Sequence, residues 1–463
     1  MVIPRLPFQL YERVFAVGSY KLYPTRARGS AERQSTLARM ESGGAELTRL
    51  PLRLTGFRYD SVAAMSADRD DSPEWWWCVQ NWSKDKVSLV ASVVGIMLTT
   101  TAERIAFKMS VDRLTPYRLV LTETVLVVSM IVYGLITILK RLLTTQIKPQ
   151  MNLFPHGKLL TMAALDTVHF SLLVCAGAGV TPTMTVILLH ASTPVIVFGS
   201  KYVFPEREFS DVQMRGVYCI VAALVVGVLQ QLWGLWVRGE EQHHVALSSL
   251  VYLLASCLHG ASSLYKERAI VDWMQQIDLH FLNSWLFFYQ CMVCVVLAPA
   301  IYWMQGMSSG WSGKGFPFSS MAANINDGLV CIWGDNDALY YNVDDAEDVA
   351  VVAPYDTRYT DCSLSLWIIV AFVLSGVAVL HCVDRLLQTG NQLLGRATSA
   401  AVFVSFVTLG VYDTQMDLGD GIGGSTIGGA DLVSILILLA GLEWWGRDEA
   451  PGDYLPSGEK ASP

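Results

Sequence analysis

Three stretches of this chain, Gly216–Val237, Val245–Tyr265 and Phe281–Met304, contain no Asp, Glu, Lys or Arg. Each is long enough to cross a hydrocarbon core about 30 Å thick, which takes roughly 20 apolar helical residues. A helix is the form that closes every backbone hydrogen bond in lipid without neighbouring strands. Seven further stretches read the same way: Val87–Phe107, Leu119–Leu139, Leu159–Val180, Met184–Tyr202, Leu364–Val383, Ala397–Val411 and Thr426–Trp445. The ninth of these ten spans is short, and the tenth holds Asp431 and Glu443. Composition agrees, since only 16% of the 463 residues are charged, against about 25% in soluble domains. The fold class expected is therefore all-α and integral to a membrane, with lipid as an obligate partner. The net charge of −8 speaks against a nucleic-acid partner.

The spans divide the chain into a basic arm (1–80), five helices (81–240), five more (241–446) and a tail (447–463). Within 1–59 there are ten Lys or Arg against four Glu. No apolar run follows the start, so a secretory signal peptide is not expected. The arm reads either as a cytoplasmic tail or as an organelle transit peptide. Trp75, Trp76, Trp77 and Trp82 precede the first span, as suits a membrane–water interface. Basic residues in short loops mark the cytosolic side. Lys140, Arg141, Lys148 and Lys158 after the second span, and Arg385 and Arg396 before the ninth, fall on the side of the N-terminus. Both termini are then cytosolic. The long segment 305–363, with nine acids and two bases, faces the opposite, lumenal compartment. Six of the nine cysteines lie in spans and Cys78 lies on the cytosolic side, where thiols stay reduced. Cys331 and Cys362 remain on the other side, positioned for a disulfide, with two free thiols as the alternative.

The first span ends in Ala102-Glu103-Arg104-Ile105-Ala106 and the sixth in Lys266-Glu267-Arg268-Ala269-Ile270. This echo predicts two five-helix repeats, inverted relative to each other, an arrangement typical of secondary transporters.

Catalytic motifs are not supported. Gly419, Gly421 and Gly424 fit a dinucleotide pattern but read as a link between spans, without the strand–helix context that pattern needs. Gly313-Lys314 lacks the flanking residues of a phosphate loop. Tyr412-Asp413 and Gly419-Asp420 read as part of one link, whereas a membrane aspartyl protease needs aspartates facing each other from separate helices. Asn81-Trp82-Ser83 is a glycosylation sequon on the cytosolic side. A membrane-embedded enzyme, the alternative of another class, would need convergent catalytic groups, and none are found. A non-transporting scaffold would not need buried acids. No cofactor or metal is implied.

Ionisable residues inside spans are costly and mark function by default. They are Glu103, Arg104, Glu123, Asp166, His169, His190, His259 and His381. Asp166 and His169, spaced i and i+3, share a helix face, and such a pair can exchange a proton near neutral pH. Arg104 near a span end can also snorkel to the headgroups, and Glu123 can sit at the interface. Thr181-Pro182 and Ser192-Thr193-Pro194 flank or interrupt the fourth span, giving a kink or a polar notch.

These positions together resemble the chloroquine-resistance transporter (CRT-like) family of the drug/metabolite transporter superfamily. The resemblance rests on Arg104-Ile105, Arg113, Tyr117 and Glu123-Thr124, then Leu165-Asp166, Thr181 and Pro194. It continues through Tyr265-Lys266-Glu267, Leu282-Asn283, Gln290 and Pro299 to Asn324-Ile325, Gly328 and Cys331. It spans Lys86 to Asp335 closely and the rest loosely. It implies a ten-helix carrier with a central cavity that moves amino acids, peptides, glutathione-type thiols or cationic drugs out of an intracellular compartment, in several members with protons. It also implies a cavity position for Arg104 and a cross-linked lumenal loop. The chain departs from the family where the eighth helix should carry a cavity acid, only His381 and Asp384 being near. The ninth-helix Gln-Gly-Pro element is missing, and the four loop cysteines are reduced to two.

The sequence reading is thus a secondary carrier in a vacuole-like membrane, with small organic solutes and protons as partners. Arg104, Glu123, Asp166, His169 and Gln290 are its expected cavity residues. Arg104 is expected to select on solute charge, and Asp166 with His169 to handle protons. The alternative is a plastid glutathione or γ-glutamylcysteine transporter, which requires the arm to be a transit peptide.

Overall fold

A computed structural model describes residues 74–144, 147, 149–205, 207–238, 243–273, 277–308, 318–335, 362–389, 391–420 and 428–446. The arm up to residue 73, most of the acidic segment and the tail lie outside the described residues, and so do Gly313-Lys314 and the end of the Gly-rich link. Packing divides the chain into two units. The described part of one is the helical stretch 74–88, and that of the other is a bundle running from Leu89 onward.

Among the described residues every regular element is helical. They are α1 (Glu74–Arg113), α2 (Arg118–Leu143), α3 (His156–Gly177), α4 (Pro182–Val203), α5 (Asp211–Arg238) and α6 (His243–Trp273). There follow α7 (Leu279–Ser308), α8 (Met321–Ile332), α9 (Ser365–Thr389), α10 (Asn391–Asp420) and α11 (Gly429–Trp445). Nine of these are long and apolar enough to cross a membrane. The helix α11 has 17 residues, which at 1.5 Å per residue gives about 25 Å. It starts where the Asp431 carboxylate accepts from the Gly428 N–H at 3.2 Å. The acid that looked out of place in a span therefore stabilises a helix N-terminus.

Several boundaries move outward from the sequence reading. The helix α1 runs past Phe107 to Arg113, and α6 past Tyr265 to Trp273. Charged residues expected in links thereby fall inside helices. The ninth predicted span, Ala397–Val411, is the middle of α10, whose apolar stretch is Leu394–Thr414. Tyr412, Asp413, Gly419 and Asp420 belong to this helix and not to a link.

Proline places the breaks. Pro182 is at the first helical position of α4, where its missing N–H costs nothing. Pro194 cannot bond back to His190, and there the helix tightens to a 3-10 turn at Leu189–Ala191 before resuming at Ser192. Small residues let helices touch. A Cβ on Gly216 would lie 2.6 Å from the Trp445 backbone nitrogen and 2.7 Å from the Gly441 oxygen, so α5 and α11 pack backbone to backbone. Gly260 does the same for α6 against Ser192 of α4. The helix α2 packs on α7, α3 on both α6 and α7, and α9 on α2.

Candidate functional site

The carboxylate of Asp166, eleventh of the 22 residues of α3, is the meeting point of three helices. Its Oδ1 accepts from the Ser262 hydroxyl of α6 at 2.5 Å. Its Oδ2 accepts from Gln290 Nε2 of α7 at 2.9 Å and lies 2.7 Å from Lys266 Nζ of α6. All four side chains are buried. A charge removed from water needs a counter-charge and satisfied lone pairs, and this arrangement supplies both.

The helix α6 presents one polar stripe to this point. Tyr252, Ala255, His259, Ser262 and Lys266 recur at intervals of three and four, on one helix face, and all are buried. His169, one turn from Asp166, turns its Nδ1 to the Ala255 carbonyl at 2.8 Å. Its ring lies against that of His259, with centroids 4.5 Å apart. Asp166 and His169 thus share a face as expected, but their partners differ.

Three of the five expected cavity residues, Asp166, His169 and Gln290, are gathered here. Arg104 is buried beside Glu103 and interacts with Tyr252, the far end of the α6 stripe. Glu123, half-buried on α2, accepts from the Cys294 thiol of α7, next to Cys291 and Cys175. Neither Glu123 nor Arg104 is among the groups that bond the Asp166 carboxylate. His190 is buried in the 3-10 turn of α4, and His381 faces outward from α9. The side chain of Asp384 is outside the described residues.

The sequence marks Lys266 in the repeat echo and among the family positions but not as a site residue, because the apolar stretch of the sixth span stops at Tyr265. The available signal was its spacing from Ser262 and His259 on one face. Sequence reasoning also passed over Lys108 and Asp112, an i, i+4 pair just beyond the predicted end of the first span. Lys108 Nζ reaches Asp112 Oδ1 at 2.8 Å and the carbonyls of Gly177 at 3.0 Å and Val180 at 2.9 Å. An ammonium has three donors, and all three are used. Arg118 donates to the Cys175 carbonyl at 2.6 Å. Two cations therefore cap the C-terminal carbonyls of α3, where the helix dipole favours positive charge. The Tyr412 hydroxyl of α10 donates to Asp112 Oδ2 at 3.4 Å.

At the opposite end of the bundle, ion pairs join α6 and the link before α7 to α2, α3 and the link after α4. Arg207 binds Glu267 through both guanidinium nitrogens. Lys140 pairs with Asp278 at 2.9 Å and Lys158 with Asp272 at 3.4 Å. Glu267 and Arg268, which echo Glu103 and Arg104 in sequence, occupy different surroundings: Arg268 is exposed and pairs with Asp272. Near Gly177, Cys331 and Cys362 form a disulfide, both buried against the corner between α1 and α2. Asn324 of α8 donates to the Pro116 carbonyl of that corner at 3.1 Å, as does Gln305 of α7. Among the described residues no three His, Cys, Asp or Glu side chains are gathered as a metal ion requires.

A multi-pass α-helical bundle with a paired charge at the centre of its third helix defines an integral membrane protein built around a buried ionic centre. Residues 89–442 match the family model described as CRT-like, chloroquine-resistance transporter-like, and the chain belongs to that family. It is 24% identical over 307 residues to Crt homolog 2 of Dictyostelium discoideum, covering 66% of this chain and 61% of the relative. Crt homolog 1 of the same organism is 20% identical over 370 residues, covering 78% and 74%. The Chloroquine resistance transporter of Toxoplasma gondii is 22% identical over 241 residues, covering 52% of this chain and 26% of that one. The chain thus spans about three fifths of the length of Crt homolog 2.

Proposed function

We propose that this protein is a secondary carrier of small organic solutes across an intracellular membrane, vacuole-like in kind, coupled to protons. The observation that carries the reading is the Asp166 carboxylate, held between α3, α6 and α7 at the centre of a CRT-like bundle. A buried acid in a transporter-family membrane helix is where solute or proton would be exchanged. Solute would sit between helices 81–240 and 241–446, and rocking of one set against the other would give alternating access. The packing of α2 on α7 and of α5 on α11 supports an inverted repeat, since these are equivalent positions in two five-helix sets when α8 is set aside as a loop helix. With the N-terminus cytosolic, the Arg207–Glu267 end is the cytosolic one and the Cys331–Cys362 end the lumenal one.

Purified protein in proteoliposomes tests this across amino acids, short peptides, glutathione and cationic drugs, with and without a pH gradient. Saturable uptake of at least one class, accelerated by the gradient, is expected. No uptake of any class above protein-free vesicles would reject the reading. A fluorescent fusion should mark vacuole-like membranes, and plastid labelling would favour the thiol-carrier alternative.

A further inference from the structure

We infer that Lys266 is the tethered counter-ion of Asp166, taking the place of a proton or a solute ammonium so that the unloaded carrier can turn over. The inference rests on the carrier reading and deepens it.

Asp166 is buried at the midpoint of its helix, and the ammonium of Lys266 is 2.7 Å away. The other groups around the carboxylate do not supply positive charge. Gln290 of α7 and Ser262 of α6 are neutral donors. The two imidazoles, His169 on α3 and His259 on α6, lie against each other, and His169 is turned to the Ala255 carbonyl. Two charged imidazoles at that separation, beside an ammonium, would repel. Lys266 is thus the charge that neutralises Asp166.

That neutralisation has a transport consequence. A naked carboxylate is expensive inside a membrane, so a carrier with one exposed to lipid-like surroundings stalls. The pair has no net charge and can be carried through the conformational change. The Lys266 side chain hangs on four methylenes and can leave. A proton makes the carboxylate neutral, and a solute ammonium reproduces the pair. When either binds, Ser262 and Gln290 remain as donors, so the newcomer meets a preformed seat. Lys266, a proton and a solute amine are therefore alternative partners of one carboxylate, and the binding of one releases another.

The test compares the full-length protein with K266R, K266Q and D166N/K266Q. Thermal unfolding is followed between pH 8 and pH 5. A buried carboxylate without a counter-charge gains from protonation, so K266Q should melt below wild type at pH 8 and recover towards it on acidification. K266R should follow wild type, and the double variant should lose the pH slope of K266Q. A K266Q protein lowered equally at every pH, or a double variant that keeps the slope, would overturn the inference.

A transport readout separates a counter-ion from a mere strut. In proteoliposomes at pH 8 without a gradient, K266Q should lose at least about tenfold more of its net leucine uptake than of its leucine exchange, because only the unloaded return is blocked, and acidification, which puts a proton in place of the ammonium, should restore net uptake. Equal loss of exchange and net uptake would leave Lys266 a strut and overturn the inference. Absence of leucine uptake by wild type would count against the carrier reading for that solute, while the pH profile still decides the role of Lys266.

Discussion

Lys108 of α1 donates to the carbonyl oxygen of Gly177 at 3.0 Å, closing the last turn of α3 from a neighbouring helix. The same ammonium is bound to Asp112, which also accepts from Tyr412 of α10. One side chain thus ties α1 to the end of α3 and, through Asp112, to α10. Lys108→Met would leave Asp112 buried without its counter-charge, at a cost of about 3–5 kcal/mol. The variant should melt well below wild type in detergent, and K108M/D112N should recover part of the loss. Equal melting of K108M and wild type would show that the contact does not hold these helices.

The Cys331–Cys362 bridge closes the acidic segment beside the corner between α1 and α2. Loop-closure entropy for a separation of 31 residues puts its worth at roughly 3–4 kcal/mol. C331S/C362S should therefore melt lower, and non-reducing peptide mapping of wild type should yield a cross-linked peptide that reductant abolishes. Quantitative alkylation of both thiols in unreduced protein would reject the bridge and also put the lumenal placement of that segment in question.

Arg104 is buried, with Glu103 and Tyr252 of α6 within electrostatic reach. A fixed guanidinium repels cations and favours anions or zwitterions in any solute path that it borders. Arg104→Thr should raise uptake of a cationic drug such as chloroquine relative to leucine. An unchanged ratio would make Arg104 a packing residue.

The membrane class and the order of the helices could be read from the sequence, because lipid imposes a single pattern on any segment that crosses it, and so could Asp166, His169 and Gln290 as candidates, which the structure gathers. Helix ends could not. Hydropathy falls where Lys108 and Lys266 begin, yet both helices continue because those ammonium groups turn inward to acceptors on α3. Asp166 was found because a carboxylate in an apolar run is visible without partners. Its partner was not, because Lys266 is seven positions beyond His259 in a segment whose charges looked like a link. The Asp166–His169 spacing was correct for one helix face, but spacing within a helix says nothing about what α6 offers. The Ala255 carbonyl and the Lys266 ammonium, both from that helix, decided the partners. The environments of Arg104 and Glu123 likewise depend on which helix packs opposite, which no local pattern encodes.

Asp166 is the proposed point at which transport is coupled to protons. The most direct measurement is solute uptake into proteoliposomes as a function of pH and of an imposed pH gradient, for wild type and Asp166→Asn, each checked for a folded state by gel filtration. Asparagine keeps the shape and hydrogen-bonding reach of the side chain but cannot take up a proton or pair with Lys266. Wild-type uptake should rise with the gradient, and the uptake that remains in the variant should be the same at every pH and insensitive to the gradient. A folded Asp166→Asn protein whose uptake keeps the wild-type pH dependence would show that protons are coupled elsewhere.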